Sequence, residues 1–253
     1  GSRLQAGDED LKNVSFEEIR GKYLVLEEKI DGANSGISFG KDGTLYLQSR
    51  GHFLNGGYGE RQFDQLKLWA GCFKSQLYEL LGSRYVMYGE WMYAKHTVFY
   101  DALPHYFMEF DIYDKETGRF FSTAKRQAML KGYPFVHSVL VLEAGRYESA
   151  EQITRLIGPS HFKTAGAWKA LEEQCGRLGL SWEQASAQTD PSDLMEGIYI
   201  KVEEGDYVTD RFKYVRHSFL NTILNSESHW QSRPIVPNLL ARGADLFGER
   251  GEV

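Results

Sequence analysis

The sequence predicts an α+β fold of antiparallel sheets flanked by helices. Three observations predict it. Short runs rich in β-branched and aromatic residues come in close pairs separated by glycine-containing turns. One longer stretch, residues 60–81, places apolar residues at three- and four-residue steps, the period of an amphipathic helix. The order of strands, helix, strands, helices, strands lacks the regular alternation of a doubly wound parallel sheet.

The elements follow in order. Residues 1–20 read as a polar lead-in with a short helix. Tyr23 to Ile30 reads as a strand. Ile37–Phe39 and Thr44–Gln48 form a hairpin around Lys41-Asp42-Gly43. Phe63, Leu66, Trp69, Phe73, Leu77 and Leu80 mark the buried stripe of one helix over 60–81. Tyr85–Tyr93 and Phe107–Tyr113 are two further strands, and the turn Lys115-Glu116-Thr117-Gly118 follows the second. Ser149 and Gln152 have the spacing of a capping box before Ile153, Leu156 and Ile157. Residues 165–178 form another helix. Gly197–Val202 and Tyr207–Val215 pair as a last hairpin around Gly205-Asp206, and a tail, helical at its start, runs from His217.

The chain is 253 residues long with a formal net charge of −6. An acidic chain is not a general coat for nucleic acid, so any such contact belongs to a local positive groove. Cys72 and Cys175 lie far apart, match no metal spacing and read as reduced thiols. No apolar run has the ~20 residues of a membrane span, and no signal peptide is recognised. A cytoplasmic protein without membrane partners is the expectation.

Five short stretches carry residues suited to chemistry. Glu28-Lys29-Ile30-Asp31-Gly32-Ala33-Asn34 ends a strand in a lysine beside a glycine turn. Tyr88-Gly89-Glu90-Trp91 puts a carboxylate in an aromatic strand. Phe107-Met108-Glu109-Phe110-Asp111 sets aromatics beside carboxylates. Glu196-Gly197-Ile198-Tyr199-Ile200-Lys201 has a carboxylate and a lysine at opposite ends of one strand. Arg211-Phe212-Lys213-Tyr214-Val215-Arg216 lines a strand with cations. Each alone is ordinary: a solvated lysine, a solvent-face glutamate, a core aromatic, a wet charged face.

Their order is not ordinary. Lys-x-Asp-Gly, Gly-Glu, Phe-Asp, Glu-Gly-x-x-x-Lys and a final lysine strand resemble, over residues 23–219, the motif series of the covalent nucleotidyltransferases. These comprise ATP-dependent DNA ligases, RNA ligases and mRNA capping enzymes. Lys29-Ile30-Asp31-Gly32-Ala33-Asn34, and Gly-Glu-Trp-Met-Tyr-Ala-Lys-His at 89–96 with Tyr100-Asp101, resemble the RNA ligases that seal nicks in duplex RNA. Two departures stand out. The family's last motif commonly has two lysines one residue apart, whereas here Lys213 has Arg211 before it and Arg216 after it. Residues 217–253 are also too few for the OB domain of DNA ligases and capping enzymes. The expected organisation is a nucleotidyltransferase (adenylation) domain at 1–216 and a short, partly helical tail at 217–253. The chain is then a minimal ligase, a fragment, or a protein that works with a partner.

The resemblance implies an ATP-dependent RNA ligase acting in RNA repair. It joins 5′-phosphate and 3′-hydroxyl ends through lysyl-AMP and an adenylylated end. Lys29 is the implied nucleophile, with Glu196, Lys201 and Lys213 as its catalytic partners. The implied nucleotide-binding set is Glu28, Lys29, Ile30, Asn34, Arg50, Glu90, Phe110, Lys201 and Lys213. In it Phe110 stacks on adenine, Glu90 takes a ribose hydroxyl and Arg50, in Ser49-Arg50-Gly51, meets phosphate or ribose. Asn34 and Glu196 would hold Mg²⁺ or Mn²⁺ through its waters. Asp31 and Asp111 serve ligand or local structure. His96 is either a phosphate contact or an exposed loop residue. RNA ends are the partner, with a possible end-healing kinase or phosphatase. The alternatives are a minimal ATP-dependent DNA ligase and an AMP-accepting module that needs another protein to seal ends.

Two physical expectations accompany this set. An ordinary lysine is neutral in only roughly one molecule in 2,500 at pH 7, so Lys201, Lys213 and a metal are expected to lower the Lys29 pKa. Glu196 and Lys201, five residues apart, face opposite ways in an extended strand. Both serve one site only if the strand bends or Glu196 sits before its start, and the expectation is Glu196 at the strand entrance beside Lys29 with Lys201 reaching in further along. The groove cations are expected to be Arg50, Lys95, Arg211 and Arg216.

Overall fold

A computed structural model describes residues 16–225 and 234–248. Its strands are β1 (Tyr23–Lys29), β2 (Ala33–Phe39), β3 (Leu45–Ser49), β4 (His52–Phe53), β5 (Tyr85–Trp91), β6 (Phe107–Asp114), β7 (Arg119–Phe121), β8 (His137–Ser138), β9 (Val141–Arg146), β10 (Gly197–Glu204) and β11 (Tyr207–Val215). They form one sheet in the order β4-β3-β2-β5-β6-β7-β11-β10-β1-β9, with β8 beside β6. Every pairing is antiparallel except β6 with β8. The α+β expectation is met.

The sheet works as two halves joined through β7. Alternation assigns their faces. In the first half, Ile37, Phe39, Leu47, Met87, Trp91 and Ile112 point into a large core with helices α1 (Asp64–Cys72) and α2 (Lys74–Leu81). In the second half, Leu24, Leu26, Ile198, Ile200, Val202 and Phe212 face a separate core that includes Tyr147 and Ile153. The alternate positions are polar: Glu27 and Lys29 on β1, Lys201 on β10, Arg211 and Lys213 on β11. On the first half, Asn34 stands opposite Glu90 and Gly36 opposite Tyr88. Two half-sheets, each with its apolar face buried on its own core, leave their polar faces for a shared site.

Several elements differ from the sequence reading. The helix over 60–81 is a 3-10 turn at Tyr58–Phe63 followed by α1 and α2, broken at Phe73. The apolar stripe continues through the break, with Leu66, Trp69, Phe73, Leu77 and Leu80 all buried, so periodicity alone does not reveal it. Gly71, two residues before the break, is the weakest helix former in α1, because glycine has the largest backbone freedom to lose in a helix. Helix α3 (Thr123–Leu130), capped by the Ser122 hydroxyl, and the edge strand β9 were not anticipated. The capping box of α4 (Ala150–Thr154) forms as expected. Helix α5 (Ala167–Leu178) ends at Gly179 in the left-handed region, α6 spans Trp182–Ala187 and α7 spans His217–Asn225. The short N-terminal helix is a 3-10 turn at Phe16–Glu18, and residues 1–15 lie outside the described part. Among the described residues no helix is long and apolar enough to cross a membrane.

Candidate active site

Lys29 is the last residue of β1 and pairs with Gly197, the first residue of β10. Glu196 therefore stands at the strand entrance beside Lys29, as expected. Its Oε1 lies 2.6 Å from Lys29 Nζ. A side chain at 197 would collide with the Tyr214 carbonyl, so glycine is what lets the strands close at this point. Gly32 makes a second close approach. A Cβ there would lie 2.6 Å from Met92 Sδ and 2.9 Å from Glu90 Cγ. The glycine of Asp-Gly thus brings the chain after Lys29 against the strand that carries Glu90, and the glycine of Glu-Gly brings β10 against β11.

Electrostatics ties the cluster together. Burial pushes the Glu90 carboxyl up to about 8, opposed by Lys29 and Arg50 and reinforced by Glu196 and Asp31. Burial likewise pushes Glu196 up to about 7, opposed by Lys29 and by Lys213. Burial alone would lower the Lys29 amine, but Glu196, Glu90 and Asp31 outweigh it, and the pKa is raised. The expected lowering by cations is therefore not met before nucleotide or metal enters: the acidic groups around the amine, Glu196 first, favour its protonated form. Glu196 Oε2 is buried with no hydrogen-bond partner, a lone pair oriented for an incoming donor.

Asp31 is occupied structurally. Its Oδ2 accepts from the amides of Thr97 at 2.7 Å and Val98 at 2.8 Å, and its own amide donates to the Tyr100 hydroxyl at 2.8 Å. Glu28, on the opposite face of β1 from Lys29, accepts from Ser160 Oγ at 2.5 Å and pairs with His161 Nδ1 at 2.8 Å. Ile30 is buried in the large core. These contacts fix both residues that flank Lys29.

Lys201 belongs to a second network. It is fully buried, 3.0 Å from Glu27 Oε2 and 3.0 Å from Asp111 Oδ1, and it donates to the Phe110 carbonyl. Arg126 of α3, also fully buried, bridges Glu27 at 2.7 Å and Glu109 at 2.8 Å. Arg211 pairs with Asp111 at 3.1 Å. Three carboxylates and three cations thus form one network that reaches the backbone of half-buried Phe110, whose ring lies 5.9 Å from that of Tyr199. Lys201 and Lys213, grouped by sequence, sit in different settings: Lys201 in this sealed network, Lys213 within electrostatic reach of Glu196.

Three of the four expected groove cations need correction. Lys95 is buried and donates to the carbonyls of His96 and Gln188. Arg216 is buried on Asp190 and the Met195 carbonyl. Arg211 is half-buried on Asp111. Only Arg50, in the β3–β4 turn, is exposed. His96 is buried, 3.9 Å from Asp31, rather than an exposed loop residue. In each case an acidic or carbonyl partner remote in sequence absorbs the charge. Sequence reasoning gave Tyr100 no role of its own and missed Arg126, Ser160 and His161, because their partners become neighbours only in the folded chain.

Comparison with known proteins follows the same lines. A family model described as RNA ligase matches residues 22–215. No curated protein matched the chain. Among solved structures, a lysine-to-alanine variant of Naegleria gruberi RNA ligase with ATP and Mn aligns at 18% identity and TM-score 0.56, covering 88% of this chain and 58% of that one. An aspartate-to-alanine variant of the same enzyme, in the apo state, aligns at 19% and 0.57, covering 87% and 57%. A glutamate-to-alanine variant with AMP and Mn aligns at 17% and 0.56, covering 88% and 59%. The chain spans less than two thirds of the length of these structures, and at such identity they establish a shared fold. With the family model matching most of its length, this chain belongs to the RNA ligase family.

Proposed function

We propose that the protein is an ATP-dependent RNA ligase that joins a 5′-phosphate to a 3′-hydroxyl through AMP carried on Lys29. The observation that carries this reading is the Lys29 amine at a strand end, ringed by Glu196, Glu90 and Asp31 between two polar sheet faces. ATP and AMP with Mn in the Naegleria structures support an adenosine nucleotide and a divalent cation as ligands.

The chemistry runs in three steps. The Lys29 amine attacks the α-phosphate of ATP, a P–N bond forms and pyrophosphate leaves. The AMP then passes to a 5′-phosphate, giving a 5′–5′ pyrophosphate and restoring the amine. A 3′-hydroxyl attacks that 5′-phosphate and AMP leaves.

The residues of the cleft divide this work. Lys29 begins protonated, so its proton must leave before attack. Glu196 and Asn34 are the residues to hold a hydrated divalent cation, Glu196 through its unpartnered Oε2. That cation would supply positive charge to the triphosphate and draw Glu196 away from the amine. Mg²⁺ and Mn²⁺ suit such a water-mediated site. Lys213 and Arg50 neutralise phosphate charge as it shifts in the transition state. Glu90, whose carboxyl holds its proton to about pH 8, can donate to or accept from a ribose hydroxyl. Phe110 offers a face to adenine, worth about 1–3 kcal/mol in single-strand systems.

Incubation with α-labelled ATP and Mn²⁺, then peptide mapping, tests the first step. A 5′-phosphorylated RNA nick tests the rest. Label on Lys29 and a sealed RNA strand are the expected results; no adduct overturns the reading. A second reading is an AMP-accepting module that needs another protein to seal ends. It predicts the adduct without sealing. Broken RNA often requires end healing first, so a kinase or phosphatase activity is the natural supplier of this substrate.

A further inference from the structure

The segment after α7 lies outside the family match, yet residues 234–241 strap the loop that leads from Glu90 to β6. The Lys95 amide donates to the Val236 carbonyl, the Leu239 amide to Tyr100, the Leu103 amide to Leu239 and the Ala241 amide to Leu103. Short bridges join Ala94 to Pro237 and Leu103 to Leu240.

Asn238 is the pin of this strap. It is fully buried and all its polar groups are used. Its amide donates to the Tyr93 carbonyl at 2.8 Å, and its carbonyl accepts from the Tyr106 hydroxyl at 2.7 Å. Its side-chain Nδ2 donates to the Met92 carbonyl at 2.7 Å. Its Oδ1 accepts from the Tyr100 amide at 2.9 Å. Met92 lies two residues beyond Glu90, and its sulfur packs against Gly32. The Tyr100 hydroxyl accepts the Asp31 amide, two residues beyond Lys29. One asparagine side chain thus bridges the chain leaving Glu90 to the residue that holds the turn leaving Lys29.

We propose that Asn238 is a positioning residue for adenylylation, acting through Tyr100 and Asp31 to fix Lys29 against Glu90. The proposal rests on the ligase reading for its kinetic consequence and on geometry alone for the coupling. An asparagine suits the place because it offers a donor and an acceptor on one short planar group. Aspartate is close in shape but cannot donate to Met92, and it brings an unpaired charge into a buried site. Phenylalanine at 100 removes one oxygen and leaves the Asp31 amide without its acceptor.

The test uses the full chain with Asn238→Asp, Asn238→Ala, Tyr100→Phe and the Tyr100→Phe/Asn238→Asp double variant. Two readouts are taken. The first, without ligand, is amide hydrogen exchange in the peptide that contains Asp31 and Gly32. Exchange there is expected to rise in Asn238→Asp, as it does in Tyr100→Phe; unchanged exchange overturns the coupling. The second is single-turnover labelling of Lys29 by ATP across ATP concentrations. The maximal rate is expected to fall roughly ten- to a hundredfold, the scale on which misplacement of a reacting group acts. The ATP concentration for half-maximal rate changes little, because ground-state binding is kept. The double variant is expected to be no slower than the slower single variant, since both interrupt one path. Wild-type rates in the variants, or effects that multiply, overturn the proposal. Tyr100→Phe keeps the test decisive if Asn238→Ala does not fold. Faster exchange combined with no labelling in any form, wild type included, supports the coupling while removing the ligase reading.

Discussion

Lys29 Nζ and Glu196 Oε1 lie 2.6 Å apart at the paired ends of β1 and β10, and this contact favours the protonated form of the amine proposed as nucleophile. The contact explains how a reactive amine can be stored in the cleft, and its removal has a readable effect. In Glu196→Gln the amine loses its strongest carboxylate neighbour and its pKa falls. Without ATP, Lys29 is then expected to react faster than wild type with a neutral acylating reagent at pH 8. With ATP and metal, the same variant is expected to label more slowly, because the group that holds the cation is gone. Mass-spectrometric quantification of Lys29 in both assays checks the pair; equal acylation rates would show that the contact does not set the amine's proton affinity.

Replacement of Lys29 itself gives the simplest outcome. Lys29→Ala and Lys29→Arg are both expected to abolish the adduct, the second because arginine keeps its proton at any working pH. Residual labelling of either variant, followed on gels with α-labelled ATP, would reassign the nucleophile.

Glu90 links the site to stability. Its folded-state carboxyl is raised to about 8 against an ordinary value near 4.5. Between those values the native state keeps a proton that the unfolded chain releases, so stability falls as pH rises through the window. Glu90→Gln cannot ionise. It is expected to melt several degrees above wild type at pH 8.5, with the difference closing as pH falls toward 4.5. Parallel melting temperatures over that range would contradict the burial of this carboxyl.

Lys201 should behave as a structural charge. Lys201→Met leaves Glu27 and Asp111 buried without their shared cation, a change that typically costs about 3–5 kcal/mol. Urea unfolding is expected to shift by this order, and adenylylation to fall with it because the Phe110 carbonyl loses its donor. A variant as stable as wild type would place the lysine outside the buried network.

Substrate choice is tested by nicks that differ only in the last nucleotides of the 3′-hydroxyl strand. Sealing is expected to require ribonucleotides there, read through the 2′-hydroxyl or the A-form shape. With Arg50 alone exposed among the four cations singled out, few phosphate contacts are expected. Sealing should weaken as salt rises, while adenylylation, which involves no RNA, weakens less. Equal sealing of all-DNA nicks would favour the DNA-ligase alternative, and equal salt dependence of both steps would remove the weak-groove argument.

The sequence by itself pointed to the family, to most of the long strands and to Lys29 as the candidate nucleophile. Lys29-Ile30-Asp31-Gly32, Gly89-Glu90 and Glu196-Gly197 are local patterns whose glycines serve close approaches, so their meaning is carried by adjacent residues. Period-two alternation likewise separates Lys29 from Glu28 without any knowledge of the partner strands. Tertiary structure decided what the charges do. Lys95, Arg211 and Arg216 look alike in sequence to Arg50, yet folding brings carboxylates or carbonyls against the first three and leaves the fourth exposed. Asn238 gives no local signal, because its partners Met92, Tyr93, Tyr100 and Tyr106 lie more than a hundred residues earlier in the chain. A charge or an amide acts through what lies within a few ångströms of it, and for these residues only the closed fold sets that neighbourhood.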